Sequence, residues 1–188
     1  MEFLSVSWSS LHKESYQLSQ RIASDGKKHD LIVAIARGGM TIAQLLSDFL
    51  SLSVATFTIS SYKDMRRDKL SDISYHVGGS LTGKHILLVD DISDSGKTFV
   101  RGVGYLKELG ASSITTAAPY VKPWTKHLPD YYVEKTDKWV VLPYEVRETI
   151  GSVASAMKKD GAGEKQIRET LHKLGFDEEF ISAYFHHA

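Results

Sequence analysis

Apolar and polar positions fall into two rhythms along the chain. Leu31 to Ala36 (LIVAIA) is a short continuous apolar run, the pattern of a strand buried on both faces of a parallel sheet. It stops at Arg37-Gly38-Gly39, after which Met40 to Leu50 predicts a helix. Val54 to Ile59, with alternating β-branched residues, predicts a second strand. The same order returns downstream. His85 to Asp90 predicts a strand, residues 91–97 a polar turn, Thr98 to Leu109 a helix ended by Gly110, and Ser113 to Ala118 another strand. Upstream, Leu11, Tyr16, Leu18 and Ile22 recur at helical spacing, which predicts an amphipathic helix over 11–23, capped by Ser9 or Ser10 and ended at Gly26. Two strand–turn–helix–strand units imply an α/β fold, a doubly wound and mostly parallel sheet with right-handed crossovers.

Two stretches break the rhythm. Residues 60–84 are rich in charge, serine and glycine and lack strong periodicity, as expected of a functional lid or a disordered excursion. After Pro143 no strand pattern remains. Val146, Ile150, Val153 and Met157, then Ile167, Leu171 and Leu174, then Phe180, Ile181 and Tyr184 recur at helical spacing, predicting two or three helices separated at Gly161–Gly163 and Gly175. Helices this short cannot bury such stripes alone, so the tail is expected to pack on the catalytic body or across a homodimer and to carry no catalytic residue.

Composition narrows the function classes. With 23 basic and 23 acidic side chains the formal net charge is zero, which argues against a protein whose main task is coating nucleic acid or anionic lipid. The absence of cysteine removes disulfides, thiolate catalysis and Cys-based metal sites, and fits a reducing compartment. No apolar run approaches membrane-spanning length and the start of the chain lacks a signal-peptide pattern; the expectation is a soluble cytoplasmic protein with no membrane partner. The histidines include no pair at metal-ligand spacing.

The candidate chemistry lies in Ile86-Leu-Leu-Val-Asp-Asp-Ile-Ser-Asp-Ser-Gly-Lys-Thr98, a buried strand that ends in two carboxylates and enters a helix through a hydroxyl-rich turn. In an open parallel sheet, ligands bind beyond the carboxyl ends of the strands. The backbone N–H groups of Ser95, Gly96, Lys97 and Thr98 would sit at a helix start, where free donors and the macrodipole favour a phosphate. Adjacent acids beside a phosphate site are badly placed unless a sugar diol and a magnesium ion separate them from it. The spacing is not that of a P-loop. Arg37, flanked by glycines, offers a fixed cation and an anion nest.

Asp90-Asp91 through Thr98 resembles the 5-phosphoribosyl-1-diphosphate (PRPP) signature of type I phosphoribosyltransferases. Arg37-Gly38-Gly39 resembles the family's pyrophosphate loop, and Ser60-Ser61-Tyr62 opens a stretch where its catalytic lid belongs. Lys122-Pro123 and Thr136-Asp137-Lys138-Trp139-Val140 resemble the base-recognition hood of the purine branch, particularly of xanthine-guanine and hypoxanthine enzymes. The resemblance covers about residues 1–145 and implies a phosphoribosyltransferase domain there, with a lid at about 60–80, a hood at about 119–145, and a helical extension at 146–188.

Several roles follow from that resemblance. PRPP would be held by Arg37, Gly38, Gly39, Ser61, Tyr62, Arg67, Asp90, Asp91, Asp94, Ser95, Gly96, Lys97 and Thr98. Asp90 and Asp91 would hold the ribose diol and Mg2+, and Asp94 would accept a proton from the base. Lys122, Trp139 and Val140 would complete the base site, Val140 through its backbone. Arg66 is a further lid cation, and Glu145 is either a helix-start residue or support for a second magnesium. The implied activity is transfer of phosphoribose from PRPP to a 6-oxopurine by a homodimer or homotetramer. The alternative is a PRPP-sensing regulator of the same fold that binds RNA or DNA; the balanced charge and the base hood speak against it.

Overall fold

The computed structural model describes residues 2–60 and 72–186. Two compact units divide the chain: residues 12–137 form one, and residues 1–11 with 138–188 form the other.

In the unit spanning 12–137, a five-stranded sheet carries the core. Numbering every strand of the chain in sequence order, after β1 (Phe3–Ser5) of the other unit come β2 (Leu31–Ala36), β3 (Val54–Ser60), β4 (Asp72–Tyr75), β5 (His85–Val89), β6 (Ile92–Ser93), β7 (Ser113–Ala117), β8 (Tyr120–Val121) and β9 (Glu134–Lys135). The sheet order is β4-β3-β2-β5-β7, all parallel except β4, which runs antiparallel to β3. Helices α1 (Trp8–Ser24), α2 (Gly38–Leu50) and α3 (Lys97–Glu108) connect or flank the strands. The apolar run of β2 is buried as its pattern requires. Val33 and Ile35 join Ile86 and Leu88 of β5 and Phe99 and Leu106 of α3 in one cluster, while the alternate residues Ile32, Ala34, Leu87 and Val89 are equally buried on the opposite side.

The order places a topological switch between β2 and β5, from which successive strands run outward in both directions. A parallel sheet opens a crevice at that point, beyond the strands' carboxyl ends. The chain enters α2 there after β2 and approaches α3 there after β5.

Three local features differ from the sequence expectation. Helix α1 begins at Trp8, with Ser7 and not Ser9 or Ser10 as its cap: the Ser10 N–H donates to Ser7 Oγ at 3.1 Å, the usual N-cap to third-residue bond. Within the stretch assigned to the lid, β4 adds a strand to the sheet edge, and Val77 and Leu81 are buried in the core beside Tyr105, whose hydroxyl accepts the Val77 N–H at 3.0 Å. The polar turn after β5 contains β6, which pairs in parallel with β8, itself paired with β9, in a separate three-stranded sheet.

In the other unit, β1 pairs in parallel with β10 (Trp139–Val141), in the register Phe3↔Trp139, Leu4↔Val140, Ser5↔Val141. Helices α4 (Val146–Lys159), α5 (Glu164–Lys173) and α6 (Glu178–His186) follow, as the periodicity predicts. Their stripes meet: Ile150, Val153, Ala154, Ile167, Leu171, Phe176 and Ile181 form one buried cluster with Val141. The tail therefore buries its apolar residues on itself and on the strand pair, and Ser5 Oγ ties the two by donating to the Leu174 carbonyl at 2.7 Å. Leu171 is fully buried. Leu171→Ala is expected to cost about 2–5 kcal/mol, read as a lower thermal midpoint for this unit; an unchanged midpoint would show that the cluster is not packed.

Among the described residues no helix is long and apolar enough to cross a membrane.

Candidate functional site

The switch point brings two glycine-containing helix starts together. The first follows β2: Arg37 is exposed, joined to Ala36 by a cis peptide bond, and α2 begins at Gly38. The second follows β5: Asp90 and Asp91 lie at the strand end, only 8% and 6% exposed, and α3 begins at Lys97. The two loops touch. A Cβ on Gly38 would lie 2.4 Å from the Asp91 carboxylate, and one on Gly39 would lie 2.3 Å from the Val89 carbonyl oxygen, so neither position has room for a side chain. The starts of two helices and an acid pair thus lie together at one end of the sheet, with Arg37 and Lys97 in the same two loops. Free first-turn N–H groups beside carboxylates can serve a ligand that carries both anionic groups and hydroxyls.

The turn from Asp94 to Thr98 is braced from behind. Gly96 has φ of +77°, and a Cβ there would lie 2.4 Å from the His127 backbone nitrogen. The Lys122 N–H donates to the Ser93 carbonyl at 3.0 Å and the Lys126 N–H to that of Ser95 at 3.2 Å. Ser93 Oγ in turn donates to the His127 carbonyl at 2.7 Å. The His127 ring stacks on Phe99 at 5.2 Å, and its Nε2 lies 3.2 Å from Thr116 Oγ1. Burial pushes its pKa below the usual imidazole value, against the opposing pull of Asp130. The turn before α3 and the segment 122–127 consequently form one hydrogen-bonded block.

That segment begins with Lys122, just past β8. The buried Tyr120 of β8 donates its hydroxyl to Glu14 of α1, which anchors the strand. Lys122 is 7% exposed, and burial holds its pKa below the ordinary lysine value, against the opposing pull of Asp94 and Asp137. Its ammonium lies 5.6 Å from the centre of the Trp124 ring, and the Trp124 indole N–H donates to Asp94 Oδ1 at 2.8 Å. Asp94, Lys122 and Trp124 thus form one cluster at the exposed mouth of the turn. Trp124 is absent from the sequence-based candidates, although it stands two residues past Lys122; His127 and Thr125, which brace Gly96, are absent too.

Trp139 and Val140 belong to the other unit. Trp139 is 43% exposed and lines an apolar cavity of about 390 Å³ with Phe3, Val153, Ala156 and Met157. In a parallel ladder alternate residues of a strand address one neighbour. The Trp139 N–H donates to the Glu2 carbonyl at 2.9 Å and the Val141 carbonyl accepts from Val6 at 2.9 Å, so both address the N-terminal segment. The Val140 N–H and C=O are turned to the opposite edge of β10, with which no strand among the described residues pairs. Glu145 caps the start of α4, its carbonyl accepting the Thr149 N–H at 2.9 Å. Ser61, Tyr62, Arg66 and Arg67 lie outside the described residues.

Asp90 and Asp91 suit magnesium. Among the described residues no cluster of three or more His, Cys, Asp or Glu could enclose a metal by itself. A pair of carboxylates is the set used where magnesium keeps several waters and takes its remaining oxygens from a phosphorylated substrate.

Comparison with known proteins agrees with this geometry. The family model of the phosphoribosyl transferase domain matches residues 7–149. A purine phosphoribosyltransferase from Pyrococcus horikoshii is 33% identical, with a TM-score of 0.70, the match covering 77% of this chain and 95% of that one. The xanthine-guanine-hypoxanthine phosphoribosyltransferase of Helicobacter pylori shares the fold at 24% identity and a TM-score of 0.67, over 76% of this chain and 94% of that one. A hypoxanthine-guanine phosphoribosyltransferase from Bacillus anthracis does so at 19% identity and a TM-score of 0.63, over 70% and 82%. The family model over residues 7–149 and the 33% identity to the P. horikoshii enzyme show the family: the chain belongs to the type I phosphoribosyltransferases and is similar to their purine branch.

Proposed function

We propose that the protein transfers the 5-phosphoribosyl group of PRPP to a 6-oxopurine, namely guanine, xanthine or hypoxanthine, giving a nucleoside 5′-monophosphate and diphosphate. The observation that carries this reading is the buried Lys122 beside Asp94 at the mouth of the phosphate turn. A buried ammonium at the base site favours a base that offers an acceptor at C6 over one that offers a donor there, and does so more strongly than shape alone. Similarity to the purine phosphoribosyltransferase of P. horikoshii supports the same reading.

The chemistry is displacement at the anomeric carbon, with positive charge building on the ribose as diphosphate leaves. In this reading the 5′-phosphate sits on the N–H groups and hydroxyls of Ser95 to Thr98. Arg37 and the first turn of α2 take the diphosphate and neutralise it as it departs. Asp90 and Asp91 hold the ribose hydroxyls and a magnesium ion, which when bound supplies charge neutralisation at the diphosphate. Asp94 accepts the imidazole proton of the base while Lys122 donates to O6. Ser61, Tyr62 and Arg67 are proposed to contact PRPP from the lid. Trp139 is proposed as a stacking face and Val140 as a backbone contact to the base edge. A cytoplasmic homodimer or homotetramer, with PRPP and free base as its partners, belongs to the same proposal.

A panel of free bases with PRPP and magnesium, followed by nucleotide formation, tests the assignment. Turnover of one or more 6-oxopurines with little on adenine or pyrimidines is expected; the reverse preference would overturn it. Lys122 adds a pH signature. Because its pKa is lowered, the ammonium is lost on the alkaline side at a pH below the ordinary 10.5, and kcat/KM for the base should fall there. Lys122→Arg, charged throughout that range, should lack this limb. A limb that persists in Lys122→Arg would assign it to another group.

A further inference from the structure

We infer that Trp124 is a positioning residue for Asp94, holding its carboxylate in the orientation that leaves one oxygen for the base. The inference rests on the reaction proposed above and deepens it at the same site. Asp94 is exposed at the mouth of the turn, where a carboxylate on a short side chain has freedom to rotate about two torsions. The Trp124 indole N–H removes that freedom by donating to Oδ1 at 2.8 Å, so that Oδ2 remains to accept a proton. An indole N–H can only donate, so this contact never competes for the proton that Asp94 is to receive.

Trp124 is itself held. Its segment is fixed to the phosphate turn by the Lys122 and Lys126 N–H groups, and the Thr125 N–H donates to the Lys122 carbonyl at 3.1 Å. The Lys122 ammonium lies 5.6 Å from the ring centre, on the same aromatic system that holds Asp94. Burial lowers the pKa of Lys122, and Asp94 and Asp137 pull it back toward the charged form. One ring therefore sets the spacing between the group that donates to O6 and the group that accepts the imidazole proton. Trp124 is 56% exposed, so packing of the core does not account for its placement.

The test has two arms on the full chain. In the first, ¹⁵N-labelled protein gives an indole signal for each of three tryptophans, and Trp124→Phe identifies the one that disappears. A carboxylate-bound indole resonates downfield, and Asp94→Ala is expected to move that signal upfield. A signal that does not respond to Asp94→Ala overturns the bond. In the second, Trp124→Phe, which keeps a ring for Lys122, is expected to lower kcat for base transfer about tenfold, the effect of losing one hydrogen bond to a charged group. The Michaelis constant for PRPP should hold within about twofold, and Trp124→His, with a ring N–H, should recover most of the loss. An unchanged or raised kcat in Trp124→Phe would overturn the inference, a rise meaning that the indole competes with the base for Asp94. Equal losses in the Phe and His variants would overturn it by assigning the effect to bulk. Wild-type protein inactive on every 6-oxopurine would instead refute the proposed reaction, with the first arm still deciding the Trp124–Asp94 bond.

Discussion

Asp94→Asn is expected to lower turnover by about 10²- to 10⁴-fold, the range for loss of a positioned general base, while the Michaelis constant for PRPP stays within a few-fold. The substitution keeps size and leaves an amide oxygen to accept the Trp124 N–H, so the geometry of the turn survives and only proton acceptance is lost. Asp94 is exposed and stands three residues past the acid pair, in the turn that leads into α3. Steady-state kinetics with each substrate varied in turn separates the roles. A variant that loses PRPP binding and turnover together would move Asp94 from the base to the ribose.

Gly96→Ala should produce the opposite split, a loss of PRPP affinity of about ten- to a hundredfold, from about 1–3 kcal/mol of backbone strain. Two independent obstacles meet at this residue. Its φ of +77° lies where an L side chain is strained, and the new methyl would lie 2.4 Å from the His127 backbone nitrogen and 2.8 Å from Thr125 Oγ1. The segment 125–127 is tied to Ser93 and Ser95, so it cannot retreat without dragging the turn with it. Calorimetric titration with PRPP and magnesium measures the effect. Undiminished affinity would show that the turn does not carry the phosphate.

The parallel core was legible because burial on both faces leaves a distinctive continuous apolar run, as in Leu31–Ala36 and Ile86–Val89. The tail helices were legible for a similar reason, their stripes repeating at Ile150, Val153, Ile167 and Leu171. The short strands were not. Phe3–Ser5, Ile92–Ser93 and Tyr120–Val121 are too brief to show a period, and each is defined by its partner far along the chain and not by its own residues. The acid pair and the glycine loops stood out through their resemblance to a family signature, since an Asp-Ser-Gly or Arg-Gly-Gly turn taken alone also fits an ordinary turn. Trp124 did not stand out, since nothing in Lys122-Pro123-Trp124 reveals that the third residue reaches back to Asp94. Only folding β8 against β6 makes those two positions neighbours. The Ser7 cap was missed because three serines near the start of α1 are equivalent in type, and only backbone geometry chooses among them.

The pairing of β1 with β10 has a consequence for the order in which the molecule is made. Residues 12–137 are contiguous, so on a ribosome this unit can complete its sheet as soon as it emerges. The strand Phe3–Ser5 is synthesised before that unit, yet its partner Trp139–Val141 emerges after it. Until then it is an unpaired apolar edge, and closing so long a loop is slow compared with local folding. Strand β1 is thus made before residues 12–137 and finds its place after them. Pulse-labelling of backbone amides during refolding should protect Val33 and Leu88 before Leu4 and Val140.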